Sequence, residues 1–278
     1  VVIAKELAAL GADYFAVAYA NEGETLRNAS IETPILVLHP LPVNFEIIVD
    51  RCLEPSIYSR KMLEEFIVFA EGKKQKEYPI HLKFNTGLNR LGFVEKDLDF
   101  IVETLEDFKK ISEELIVKLG YKPLLHCANT SGIINYPQAH FDMVRTGIGL
   151  YGYGNDPVES KHLKPVGTLK TVISQIHTVQ KDESVGYNRG FVAGKTTRSA
   201  TLPIGHADGI PRSYGKGKGW VTIHEKKAHI LGNVCMDMIM VDVTDIDCHE
   251  GDEAIVFGPS STAEELSAAI NSISYELI

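Results

Sequence analysis

Up to about residue 153, short apolar runs alternate with stretches of helical periodicity; after Leu163 the pattern becomes apolar–polar alternation between turn signals. That change of period limits the fold more than any other feature. Repeated βα units close their hydrogen bonds by forming a parallel sheet or barrel, whereas dense Val, Ile and Thr alternation with tight turns builds antiparallel sheets. The chain therefore reads as two domains, 1–155 with βα repetition and 156–278 with β texture, joined near Asn155-Asp156-Pro157.

Six strands are expected in the first part: Tyr14 to Ala18, Ile35 to Leu38, Cys52 to Tyr58, Ile80 to Phe84, Leu124 to Ala128 and Met143 to Leu150. Helices are expected at Val1 to Leu10, stopped by Gly11, after a cap at Asn21 with Glu24 at capping-box spacing, and over 60–71. From Asp97 to Leu119 apolar residues recur at helical spacing for about six turns. In the second part, Asp208-Gly209 and Lys216-Gly217-Lys218-Gly219 mark turns.

Composition excludes several functions. A net charge of −9 and the lack of a dense basic tract argue against nucleic acid and anionic membrane as partners. No apolar stretch approaches ~18 residues, so no spanning helix is expected. Cys52, Cys127, Cys235 and Cys248 are widely spaced, without metal-ligand spacing, which fits free thiols in a reducing cytoplasm and no metal site.

Two strings carry polar groups at predicted strand ends: His126-Cys127-Ala128-Asn129-Thr130-Ser131 and Val144-Arg145-Thr146-Gly147-Ile148-Gly149-Leu150-Tyr151-Gly152. A charge inside an apolar run is unfavourable without a partner, and bracketing glycines let backbone N–H groups approach an anion closely. Taken alone, Arg145 is equally consistent with a structural ion pair.

With His81-Leu82-Lys83-Phe84-Asn85-Thr86-Gly87-Leu88-Asn89-Arg90-Leu91-Gly92 upstream, these strings resemble the alanine racemase family of pyridoxal-phosphate (PLP) enzymes, over nearly the whole chain. The resemblance implies a (β/α)₈ TIM-type barrel followed by an all-β domain. It implies PLP as cofactor, L- and D-alanine as substrates for peptidoglycan synthesis, and a homodimer with active sites at its interface. Arg145 matches the arginine that holds the pyridine nitrogen, and His126 a histidine that supports it. Asn129, Thr130, Gly147 and Ile148 match the phosphate cradle, and Tyr275 a further phosphate contact. Tyr187, in Gly186-Tyr187-Asn188-Arg189, matches the catalytic tyrosine that reaches the partner's site. Arg90 matches the arginine near the substrate carboxylate. Lys83 corresponds to a lysine carbamylated in some members; an ordinary surface amine is the alternative. Met236 and Asp237 match a substrate contact made across the dimer, and His206 stands where many members have an entry-gate tyrosine.

Two family elements have no counterpart in the sequence. Nothing matches the lysine-bearing first strand, and no strand pattern lies between Gly92 and Pro123, so the barrel is expected to be incomplete and the chain a fragment. The Asn233-Val234-Cys235-Met236-Asp237 string looks most like members fused to a peptidoglycan-precursor ligase. Two alternatives stand beside the racemase reading: a serine or broad-specificity racemase, and an inactive racemase-like domain kept for dimerisation or as a fusion partner.

Overall fold

The computed structural model describes residues 1–75, 77–93, 113, 116, 117 and 119–278; most of the helix expected from Asp97 to Leu119 lies outside them. The chain forms two compact units, Val1–Leu125 and His126–Ile278.

In the first unit, helix α1 (Val2–Ala9) precedes strand β1 (Phe15–Val17). Gly11, at φ 87°, makes the turn between them in a conformation that side-chain-bearing residues avoid. Helix α2 (Ala20–Asn28), β2 (Ile35–Val37), α3 (Phe45–Asp50), β3 (Glu54–Ile57), α4 (Arg60–Gly72) and β4 (His81–Leu82) follow. The strands pair in parallel in the order β1-β2-β3-β4, with Phe15 opposite Ile35, Leu36 opposite Glu54 and Ser56 opposite His81. All three β2 residues are buried, as expected for an interior parallel strand covered on both faces. In α4, Met62, Phe66 and Ala70 are buried at intervals of four, and Ser59 Oγ caps the helix by accepting from the Met62 N–H at 3.2 Å. These residues join Ile35, Val37, Phe45, Ile48, Leu53 and Ile57 in one core.

The second unit begins with a short helix α5 (Thr130–Asn135), a 3₁₀ turn at Ile148–Tyr151 and helix α6 (Pro157–Ser160). It continues as β5 (Leu169–Val172), β6 (Gln175–Val179), β7 (Ser184–Val185), β8 (Phe191–Val192), β9 (Thr197–Leu202), β10 (Trp220–Ile223), β11 (Lys226–Leu231), β12 (Ile239–Asp242), β13 (Glu253–Phe257) and helix α7 (Ala263–Ala268). Seven strands form an antiparallel sheet in the order β5-β13-β10-β11-β12-β9-β6, and β7 and β8 form a separate hairpin. The β10–β11 hairpin turns on His224 and Glu225, both at positive φ, the geometry whose twist suits a two-residue loop.

Two local expectations are corrected. Helix α2 is capped at Tyr19, not Asn21: Glu22 Oε2 accepts from the Tyr19 N–H at 2.9 Å, while Glu24 is drawn into an ion pair with Arg51 at 3.0 Å. Leu124 to Ala128 and Met143 to Leu150 are not strands. The Arg145 N–H reaches the Ala128 carbonyl at 3.0 Å, which is one bond rather than a ladder, and from Ile148 the backbone winds into the 3₁₀ turn. The compact units divide at Leu125 and His126, and Ile148 and Tyr153 are buried in the core of the antiparallel sheet.

Candidate active site

The second unit assembles an anion cradle. Asn129 caps α5, its Oδ1 accepting from the Gly132 N–H at 3.0 Å, and Thr130 is buried behind it. Thr130 Oγ1 accepts from the N–H groups of Gly147 and Gly149, at 3.1 and 3.3 Å, which fixes the 147–149 backbone over the start of α5. Tyr275 arrives from the 3₁₀ turn Ser274–Glu276. A Cβ on Gly147 would lie 2.7 Å from Tyr275 Oη, so glycine lets the phenol approach this backbone where a side chain would move it aside. The Gly147 and Gly149 N–H groups are taken up by Thr130, so the donors that could turn to an anion here are the Thr130 and Tyr275 hydroxyls, the Asn129 amide and the Ile148 N–H.

Arg145 sits at the edge of this cradle. Its Nη2 donates to the Cys127 carbonyl at 3.3 Å, whereas its Nε is buried without a hydrogen-bond partner. A buried donor left unmade costs about 1–3 kcal/mol, so this atom calls for an acceptor. Burial lowers the guanidinium pKa from its ordinary value, and raises that of the neighbouring Cys127 thiol, which Arg145 partly offsets. His126, half-buried, lies at the start of the same segment.

A second group forms around the loop from Gly232 to Met238. Asn233 Nδ2 donates to the Tyr187 carbonyl at 3.0 Å. Asn188 and Arg189, which follow Tyr187, both have left-handed backbones, each with an energetic penalty of about 1–2 kcal/mol. The N–H groups of His206 and Ala207 donate to the carbonyls of Cys235 and Met236, both at 2.9 Å. Gly205 permits this approach, since a Cβ there would meet Met236 O at 2.3 Å. One loop thus ties Tyr187, His206 and Met236–Asp237 together. Tyr187 and Met236 are 73% and 59% exposed.

Lys83 and Arg90 belong to the first unit. Lys83 extends β4, its N–H donating to Ile57 O at 2.9 Å. Arg90 is exposed on a loop pinned by Asn85, whose Oδ1 accepts from the N–H groups of Gly87 and Asn89 at 3.2 and 3.0 Å.

Sequence reasoning missed two contributors. Asn233 lay inside a quoted motif without an assigned role. Glu159 carried no signal, because nothing in a linear pattern marks a solvent-type residue as buried. Among the described residues, no helix is long and apolar enough to cross a membrane.

A parallel βα unit, an antiparallel β domain and a cluster of donors beside a buried arginine are parts that a cofactor-dependent racemase would need. Comparison with known proteins shows the family. The alanine racemase N-terminal domain matches residues 1–118 and 99–155, and the alanine racemase C-terminal domain matches 166–278. An alanine racemase from Carboxydothermus hydrogenoformans is 34% identical over 314 aligned positions, covering 99% of this chain and 85% of the relative. One from Clostridium perfringens is 34% identical over 318, covering 99% and 81%. Among solved structures, alanine racemase from Clostridium difficile superposes with a TM-score of 0.90 at 29% identity, covering 99% of this chain and 81% of that one. The Bartonella henselae enzyme, solved with covalently bound pyridoxal phosphate, gives 0.84 at 27%, covering 99% and 84%.

This chain belongs to the alanine racemase family, the PLP-dependent isomerases with a TIM-like barrel and a C-terminal β domain. The residues present fit that cofactor: the unpartnered Arg145 Nε is a donor awaiting an acceptor, and the Gly147–Tyr275 approach leaves a cradle of donors that a larger residue would fill.

Proposed function

We propose that this chain is built to interconvert L- and D-alanine, with Tyr187 Oη moving the Cα proton on one face of the substrate. The observation that carries this reading is the orphaned Arg145 Nε at the rim of the cradle. Asn129, Thr130, Gly147, Ile148 and Tyr275 would hold the PLP phosphate, and Arg145, supported by His126, would hold the ring nitrogen. Bound PLP supplies an electron sink for the charge left at Cα. Arginine does not surrender its proton, so Arg145 donates a hydrogen bond to the ring nitrogen without protonating it. That restrains the sink and suppresses side reactions such as transamination.

Arg90, braced by Lys83 as its carbamate, would orient the substrate carboxylate, together with Met236 and Asp237, while His206 lines the entrance. A phenol has an ordinary pKa near 10 and is a poor base in water. The exposure of Tyr187 on a single chain therefore supports a homodimer in which it enters the partner's site. D-alanine made this way serves peptidoglycan synthesis in the cytoplasm.

The opposite face needs a second base, the family lysine, which no segment of this sequence matches. Two features of the matches support an internal gap in the barrel as well. The N-terminal domain aligns in two stretches that overlap at 99–118, and the first alignment spans 314 positions against 278 residues.

Borohydride reduction of the chain with PLP, followed by peptide mass spectrometry and an assay for D-alanine, tests the reading. Expected is PLP binding that Arg145→Ala weakens by about tenfold, with no lysine labelled stoichiometrically. One labelled lysine together with D-alanine formation would overturn the missing-base assignment. Binding indifferent to Arg145→Ala would overturn the site.

A further inference from the structure

Among the described residues Glu159 is the one charged side chain in the buried interior, at 3% exposure. It sits on α6, whose start is fixed by Asp156 Oδ1 accepting from the N–H groups of Val158 and Glu159 at 2.7 and 2.9 Å. Its carboxylate is fully engaged. Oε1 accepts from Asn135 Nδ2 at 2.6 Å; Oε2 accepts from Ser131 Oγ at 2.9 Å and from the Asn155 N–H at 2.8 Å. Asn155 Nδ2 in turn donates to Ser131 Oγ. Gly154 makes room for this turn, since a Cβ there would stand 2.4 Å from Glu159 Cβ.

Ser131 and Asn135 are one helical turn apart on α5, so they present side chains on one face, and Glu159 grips both. The opposite end of the connection is the cradle. Thr130, adjacent to Ser131, receives the Gly147 and Gly149 N–H groups. Hydrogen bonds from Glu159 to Ser131 and from Thr130 to the 147–149 backbone, joined by the peptide bond between Thr130 and Ser131, therefore link the carboxylate to the cradle. Helix α5 has only six residues, too few to be rigid by its own hydrogen bonds. Its position must come from side-chain contacts.

We propose that Glu159 is a positioning residue for the phosphate cradle: it holds α5 in the register that places Thr130 against Gly147. This rests on the reading of Thr130 and Gly147 as phosphate ligands. Glutamine at 159 is isosteric but replaces one acceptor oxygen by a donor. With its oxygen toward Ser131 and Asn155, its amide can donate to Asn135 once that side chain turns to present Oδ1, so glutamine can keep the network and alanine is the substitution that removes it.

The test uses the full chain and pyridoxamine 5′-phosphate, which has the ring and phosphate of PLP but an amine in place of the aldehyde, so surface lysines do not capture it. Affinity is measured by equilibrium dialysis, with inorganic phosphate as competitor, at a temperature where calorimetry shows each variant folded. Glu159→Ala is expected to weaken both ligands about tenfold, and Asn135→Ala to reproduce part of the loss. Combined with Thr130→Ala, Glu159→Ala is expected to add little, because both act on the same contact. An unchanged affinity in Glu159→Ala while Thr130→Ala weakens binding would overturn the proposal. So would strictly additive losses, the signature of a general structural defect. An unchanged affinity in Thr130→Ala, or no binding by the parent chain, would overturn the cradle reading itself.

Discussion

At the scale of single residues, the site is set by what side chains leave room for. Gly147 is one case at the cradle. Its missing side chain is what lets Tyr275 Oη reach the cradle, so Gly147→Ala must push the phenol or the backbone aside. We expect about tenfold weaker binding of PLP, read by titration, with a loss of stability of about 1–2 kcal/mol by denaturant melt. Cys127 gives a pH-dependent test. Burial raises its thiol pKa, with Arg145 opposing. The thiolate is the reactive form, so alkylation by iodoacetamide should accelerate only above the ordinary thiol range near pH 8.5. Arg145→Ala removes the opposing charge and should move that rise to higher pH, followed by peptide mass spectrometry.

Among elements, legibility in the sequence followed how local the deciding physics is. Helix α4 and strands β1 to β4 fall where apolar periodicity puts them, since each is decided by neighbours within a turn or two. The segments around Ala128 and Arg145 read as strands because their composition is apolar, but a strand also needs a partner backbone, which composition does not encode. The α2 cap was misplaced by two residues because Glu22 and Glu24 compete, and only tertiary contact with Arg51 assigns Glu24 elsewhere. Tyr78 ties these elements together: its one hydroxyl proton is shared between the carbonyls of Ile48 and Leu53, both 2.8 Å from the oxygen, bracing the turn between α3 and β3. Burial holds the Tyr78 phenol well above its ordinary pKa. The folded chain keeps that proton while the unfolded chain loses it near pH 10, so this contribution to stability is whole below pH 10 and declines above it. Tyr78→Phe should cost about 1 kcal/mol at neutral pH and shrink the alkaline loss, measured by urea melts across pH.

Among the described residues each unit has its own main core, one around Ile35, Phe45 and Phe66, the other around Tyr153, Leu202, Ile223 and Ile239, with a smaller cluster of Val179, Val185, Ala193 and Leu231 in the second unit. Separate cores need not melt together. Scanning calorimetry should show two transitions, and saturating pyridoxamine 5′-phosphate should raise the transition of the second unit, whose residues form the cradle. A single transition moved as one body would show that the units are energetically fused. The candidate site was legible as a set of motif positions, each named from a string of a few residues. Their grouping was not: that Tyr275 belongs with Gly147, or that Asn233 carries Tyr187, depends on long-range packing that no local string records.

The division of the chain at Leu125 and His126 has a hereditary consequence. Asn129, Thr130, Arg145, Gly147, Tyr275 and Tyr187 all lie downstream of it, with Glu159 and Asn233 behind them. A genetic crossover at that point would transmit the proposed phosphate residues and Tyr187 as one cassette and leave Lys83 and Arg90 with the other half. Lineages could then exchange the upstream βα repeats, and the Arg90 they carry, without separating the downstream group.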